Sequence, residues 1–448
     1  MRDGTCWRPD PRRTAMKIPG LSLRPPNFIV ILADDLGYGD LGCDGGRIIK
    51  TPHLDQMAAQ GVRLTDFYAS ANVCTPSRAG LLTGGYAIRH GLAHEVIQPS
   101  DTIGLPPGVF TLPGALKPDY ATALIGKWHL GHVAPHWPPT AYGFDAFFGL
   151  PYSHDMRPLA LYEADAPGGP ISESAVDFPR LTQSFFARAL AFVERHREGP
   201  FFILLALTAP HVPLQPNSDA QTGSAAGAYG EVVEEIDANV GALLRHLASL
   251  GIDEDTLVVF TSDNGPWFEG SSGPFRDRKG GSGWDGGFRV PFIARRPGRL
   301  PAGAVSGALA SNLDLLPTFL AMAGRARPDD LDLDGKDLTG VLIDGEPSPH
   351  EEILLFDNAK VAALRTARWK YVARSYYRRY DIDLERFGYP LLFDIEQDPA
   401  ESYSVRRLHP EVAAEMKARL ERAKAKYEPM ADVFPAYIPP PGAANHPD

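Results

Sequence analysis

Cysteine is scarce: Cys6, Cys43 and Cys74 are the only three in 448 residues. An odd, sparse set excludes a disulfide framework and leaves at least one thiol free or modified. Long apolar runs are missing as well, with none near the ~18 residues a membrane-spanning helix needs, so no membrane partner is expected. The opening MRDGTCWRPDPRRTAMKIPGLSLRPPN lacks the apolar stretch of roughly 7–15 residues that marks a secretion signal. The chain as it stands therefore reads as cytoplasmic, or as periplasmic or secreted if its N-terminus is incomplete. Met16 is an alternative start. Basic residues are outnumbered, 44 Lys and Arg against 55 Asp and Glu, for a formal charge of −11. An acidic surface excludes nucleic acid as the main partner, yet is compatible with a local cationic pocket.

What is present supports a large core. Hydrophobic residues make up 44% and charged residues 22%, which excludes global disorder. Asn27–Ala33, Phe201–Leu207 and Thr256–Thr261 are short apolar runs rich in β-branched or aromatic residues and read as fully buried strands. Helical spacing over Thr51–Gly61, Phe185–Arg197 and Glu231–Leu250 separates them. Buried strands alternating with helices predict a mostly parallel sheet covered on both faces. Beyond a stretch punctuated by Pro, Gly and Asp, short strand-like pieces (Ile353–Phe356, Ala362–Arg365, Trp369–Ala373, Leu391–Asp394) predict a small antiparallel sheet, with a helix over Pro410–Tyr427. The division expected is a flexible segment 1–25, a catalytic domain 26–345, a small α+β subdomain 346–430 and an extended Pro-rich tail 431–448.

The first candidate site is acidic. Asp34-Asp35 ends one buried strand and Asp263-Asn264 ends another. Ligands of open α/β sheets bind beyond the carboxyl ends of strands, and four oxygen donors from two such ends suit Ca2+ or Mg2+. Either pair alone is equally a turn former. Lys127 and His129, two apart on a strand, would face one side. His90 and His94 have the i, i+4 spacing of a helical metal pair, weakened by Gly91 and by the lack of further ligands.

Cys74 taken alone reads as a small buried hydrophobe. It is followed, however, by Thr75-Pro76-Ser77-Arg78 and then Leu81-Leu82-Thr83-Gly84. This segment resembles the C-x-P-S-R and L-L-T-G signature of the type I, formylglycine-dependent sulfatases. Gly126-Lys127-Trp128-His129-Leu130-Gly131, the Lys279 segment, His211 in Ala209-Pro210-His211, and Leu392–Pro399 are similar to family elements in the same order. The loop Gly149–Asp155, which contains Ser153, looks like that of arylsulfatase A and galactosamine-6-sulfatases.

The resemblance implies an alkaline-phosphatase-like α/β fold with a large mixed, mostly parallel sheet sandwiched by helices, plus a smaller C-terminal antiparallel sheet with a helix. It implies that a formylglycine-generating maturation enzyme oxidises Cys74. It also implies that Asp34, Asp35, Asp263, Asn264 and residue 74 hold a divalent cation. In this reading Arg78, Lys127 and Lys279 stabilise the transferring group, His211 and Lys279 protonate the leaving oxygen, His129 takes a proton from the hydrated aldehyde, and Ser153 binds substrate. Lys127 and Lys279 are expected at the pocket mouth, where substitution would spare the fold. The substrate implied is an aryl or carbohydrate sulfate monoester. A phosphonate or phosphodiester hydrolase and a non-catalytic sulfoglycan-binding homologue are the alternatives, and a homo-oligomer is left open.

Overall fold

The computed structural model describes residues 25–328, 331–377 and 380–433. Segment 1–24 and the chain from 434 onward lie outside the described residues, so the expected N-terminal segment and most of the tail do too. The start of that tail is not extended: Glu428–Val433 forms a 3-10 helix.

Strand β1 (Asn27–Ala33) is buried along its whole length, and its alternation explains why. Phe28, Val30 and Leu32 enter one apolar cluster, while Ile29, Ile31 and Ala33 enter another. A strand with two buried faces must carry apolar residues at every position. It is central to a ten-stranded sheet, flanked by β3 (Phe201–Ala206) and β4 (Thr256–Ser262), both parallel to it. Strand β2 (Ala121–Lys127) pairs parallel with β3 and with Ala146–Leu150. The sheet is mixed: Phe292–Arg295 runs antiparallel to β4, with Val62–Leu64 and Ala304–Ser306 beyond it, and Leu161–Ala164 runs antiparallel to Ala146–Leu150, with Ser172–Ser174 beyond it. The close approach of β2 to β3 requires glycine at 126: its φ is +115°, and a Cβ there would lie 1.8 Å from the Ala206 carbonyl oxygen.

Helix α1 (Pro52–Ala59) matches the expected segment, and α2 (Cys74–Thr83) begins at the signature cysteine. Helix α3 (Leu181–His196) starts four residues before the predicted Phe185, because Leu181 and Thr182 are also buried. Helix α4 (Gly227–Ser249) buries Val233, Ile236, Val240, Leu243 and Leu247 at helical spacing. Helices α3 and α4 cover the face of Ile29 and Ile31, and α2 lies in the layer of Val30 and Leu32. His90 ends a 3-10 helix, Ala87–His90, at Gly91 with φ +72°. It therefore shares no helix with His94.

The C-terminal part is a four-stranded antiparallel sheet of Ile353–Asp357, Lys360–Arg365, Trp369–Val372 and Leu391–Asp394. Helix α5 (Pro410–Tyr427) lays Ala413, Met416, Leu420 and Ala423 into the same cluster as Leu364, Tyr371 and Leu392. A buried ion cluster joins this sheet to the catalytic part: Lys370 Nζ lies 2.6 Å from Asp285 Oδ1 and 2.6 Å from Glu401 Oε1. Among the described residues no helix is long and apolar enough to cross a membrane.

Candidate active site

The parallel strands at the sheet centre deliver their side chains at the carboxyl ends. Ala33 pairs with Ser262, so Asp34-Asp35 and Asp263-Asn264 leave the sheet side by side. The Asp35 N–H donates to Asp263 Oδ1 at 3.2 Å, and Asn264 Nδ2 donates to Asp35 Oδ1 at 2.7 Å. Asp35 turns with φ +65°, a costly conformation away from glycine that these contacts hold in place. Strand β2 ends in Lys127, whose Nζ lies 2.7 Å from Asp34 Oδ2. His211, beyond β3, approaches Asp35 Oδ2 at 3.6 Å, and Lys279 Nζ meets the same oxygen at 2.7 Å.

Cys74 is the first residue of α2, behind an extended Val73 that supplies no side-chain cap. Its thiol lies 3.5 Å from Asp34 Oδ1. Ligand atoms of Asp34, Asp35, Cys74 and His211 all fall within 4.8 Å of one another.

Charge is balanced unevenly across this cluster. Burial alone would raise the Asp34 pKa; Lys127 first, then His211, Arg78 and Lys279, overrule it and hold the carboxyl well below the usual range. Asp263 goes the other way, to about 6, through burial and then the neighbouring Asp34. Burial opposes the charge of Lys127, but Asp34 prevails and raises its pKa. Burial also pushes the Cys74 thiol far up despite Lys127 and Lys279. A protonated thiol is a poor nucleophile, so burial works against direct attack by the cysteine as encoded.

The donors fit a hard divalent cation. Asp34 and Asp35 supply carboxylates, and Asn264 Oδ1 is buried without a hydrogen-bond partner among the described residues. A buried orphan acceptor at the edge of a carboxylate cluster is what an oxygen-liganded ion satisfies.

Three residues expected from the sequence to act on substrate stand differently in the fold. Arg78 is engaged chiefly by the protein's own groups. Its Nε donates to Asp263 Oδ2 at 2.9 Å, its Nη1 to the Lys127 carbonyl at 2.9 Å, and its Nη2 lies 3.6 Å from Asp34 Oδ1. Arg78 is a positioning residue that ties three strand ends together. Lys127 is fully buried, not at a pocket mouth. His129 lies past the end of β2 with φ +61°, so a turn, not strand alternation, brings it to Lys127. Its Nε2 faces the Ile97 carbonyl at 3.0 Å, and its Nδ1 has no partner among the described residues. Burial, then Lys127 and Arg78, hold its pKa well below the usual range, so the ring is neutral. A carbonyl can only accept, so Nε2 carries the proton and Nδ1 keeps a free lone pair. Ser153 is buried beyond the end of Ala146–Leu150.

Sequence reasoning passed over His154, whose ring stands edge-on to His211 at 5.7 Å, and Thr75, whose hydroxyl donates to the His129 carbonyl and accepts from Ile97 N–H. Both sit in motifs already singled out, and adjacency to Ser153 and Cys74 was the available signal.

The sulfatase family model matches residues 26–325. The chain belongs to the sulfatase family. A second model, the C-terminal region of N-sulphoglucosamine sulphohydrolase, matches residues 282–426 of this sulfatase. Human arylsulfatase A is 36% identical over 93% of the chain and 90% of its own length. N-acetylgalactosamine-6-sulfatase of Canis lupus familiaris is 39% identical over 72% of the chain and 67% of its own length. The crystal structure of PsFucS1 sulfatase from Pseudoalteromonas sp. superposes with a TM-score of 0.83 at 28% identity, over 93% of this chain and 92% of that one.

Proposed function

We propose that this sulfatase hydrolyses the sulfate monoester of a saccharide, with small aryl sulfates as surrogate substrates, and that it works through formylglycine at position 74 and a Ca2+ or Mg2+ ion. The observation that carries the reading is the meeting of Cys74, at the first turn of α2, with Asp34 and with the Lys127 and Lys279 cations that pair the acidic cluster. Among the relatives, one is named for aryl and another for sugar sulfates.

Asp34, Asp35, Asp263 and Asn264 would hold the cation, which when bound adds positive charge and Lewis acidity. Maturation of Cys74 by a formylglycine-generating enzyme would supply two geminal hydroxyls, one of them the nucleophile. Around that position the chain's own residues divide the work. Lys127 and Lys279, anchored on Asp34 and Asp35, present fixed positive charge to the sulfonyl oxygens without reorganising. Arg78 keeps Asp34 and Asp263 in register. His129, neutral with a bare Nδ1, is placed to accept a proton. His211 and Lys279, both on Asp35 Oδ2, are the groups that can hand a proton to the leaving oxygen. General acid–base terms of this kind are typically worth about 10²–10⁴ in rate each.

The test is a side-by-side assay of para-nitrophenyl sulfate, phosphate and phosphonate esters with matured enzyme. Preference for the sulfate is expected. Preference for the phosphonate by orders of magnitude would replace this reading with a phosphonate hydrolase.

A further inference from the structure

The segment between Asn264 and Lys279 exposes large aromatic side chains of the kind a folded chain ordinarily hides. Trp267 is 39% and Phe268 67% exposed, and they follow Asn264 by three and four residues. Their rings meet edge to face at 4.8 Å. Arg278 braces them: its guanidinium lies over the Phe268 ring, 4.8 Å from the centroid, and its Nη1 donates to the Trp267 carbonyl. The same segment is stitched to the site, because Lys279 N–H donates to the Pro266 carbonyl at 2.9 Å and Lys279 Nζ reaches Asp35. A third exposed ring, Tyr376 of the C-terminal part, donates to Asp277 Oδ2 at 2.7 Å.

Exposed aromatics held rigid by an arginine beside a reaction centre have a specific use. Rigid rings offer a flat apolar face at small entropic cost, and an arginine adds charge-assisted bonds to anions. Scattered exposed apolar residues need no explanation; a braced group on the short segment that joins Asn264 to Lys279 does. Resting on the function proposed above, we infer that Trp267, Phe268 and Arg278 form a platform for a pyranose ring of the substrate. In this arrangement the rings stack on the sugar's apolar face, and Arg278 takes an anionic substituent, a uronate or a second sulfate, on the sugar bearing the cleaved ester or its neighbour. The Lys279 N–H bond to the Pro266 carbonyl keeps the start of this segment beside Lys279, one of the groups proposed to protonate the leaving oxygen, and the positive charge of Arg278 matches a polyanionic saccharide.

The experiment compares 4-methylumbelliferyl sulfate with a panel of sulfated tetrasaccharides, half of them carrying a uronate or second sulfate, using matured full-length enzyme. Trp267→Ala should lower kcat/KM on the best tetrasaccharide at least 10-fold more than on the aryl sulfate, chiefly through KM. Trp267→Phe, which keeps a ring, should recover most of that loss. Arg278→Gln should penalise the doubly anionic tetrasaccharides selectively. Equal losses on both probes, no loss on any tetrasaccharide, or a wild-type enzyme that cleaves the aryl sulfate but none of the panel would overturn the platform. Failure of wild type on every sulfate ester would instead overturn the functional reading beneath it.

Discussion

The Asn264 side chain has only one orientation open to it. Its Nδ2 donates to Asp35 Oδ1 at 2.7 Å and to the Gly265 carbonyl at 2.8 Å, and both partners only accept. The amide oxygen is left buried and unpartnered among the described residues, available to a cation. Asn264→Ala should therefore weaken Ca2+ or Mg2+ binding by at least about 10- to 100-fold, the range already seen when a group that only supports a metal ligand is lost. Calorimetric titration of the metal-stripped protein measures this directly, and an unchanged affinity removes Asn264 from the ligand set.

Lys127 and Asp34 are both wholly buried at 2.7 Å. Removing one member of such a pair strands a charge, at about 3–5 kcal/mol when nothing else compensates. Arg78 remains 3.6 Å from Asp34, so Lys127→Met should lose roughly 2–3 kcal/mol of stability, together with about 10²-fold or more in kcat/KM. Lys279 is more accessible, with 11% side-chain exposure, and Lys279→Met should lose activity with a smaller stability change. Urea unfolding of the two variants separates these outcomes.

Glu235 lines a cavity with His154 and His211, and burial raises its pKa from an ordinary 4.5 to about 7. The native state thus holds this proton more tightly than the unfolded chain. The resulting stabilisation is complete below about pH 4.5 and is lost as the pH rises through about 7. Glu235→Gln should match wild type near pH 4.5 and exceed it by about 1–3 kcal/mol above pH 7. Melting curves across that range check the sign; a Gln variant less stable than wild type at pH 8 contradicts it.

Lys370 is fully buried between Asp285 and Glu401, and Asp285 also accepts from the Tyr68 hydroxyl at 2.9 Å. This ion cluster fastens the segment after Lys279 to the C-terminal sheet. Lys370→Ala should cost about 3–5 kcal/mol and also lower kcat/KM, because the Lys279 segment loosens. Hydrogen exchange that quickens only in the C-terminal sheet, with the 276–289 segment still protected, would show that the two are not coupled.

The meeting of Asp34-Asp35 with Asp263-Asn264 was legible because both pairs terminate runs so apolar that only a doubly covered strand accommodates them. The C-terminal helix was legible over the same span, Pro410–Tyr427, because its apolar spacing and its opening proline mark it. Strand Ala146–Leu150 was not: it is short, contains Gly149, and has an exposure pattern that mixes buried and half-buried positions. The direction of Arg78 was also hidden, because a signature says that an arginine is required and not whether it faces substrate or scaffold. Lys370 and Asp285, 85 residues apart, meet only through the docking of the two parts. The Trp267 and Phe268 pair carried no periodicity to distinguish it from any loop.

The most direct measurement is the turnover of 4-methylumbelliferyl sulfate by wild type and Cys74→Ala, both coexpressed with a formylglycine-generating enzyme. The residue-74 peptide of the wild-type sample is weighed alongside for the loss of about 18 Da that conversion of the thiol to an aldehyde nucleophile precursor requires. The account predicts that converted wild type hydrolyses the ester and that Cys74→Ala, equally folded, is slower by at least ~10³-fold. A Cys74→Ala protein that keeps the wild-type rate would contradict it.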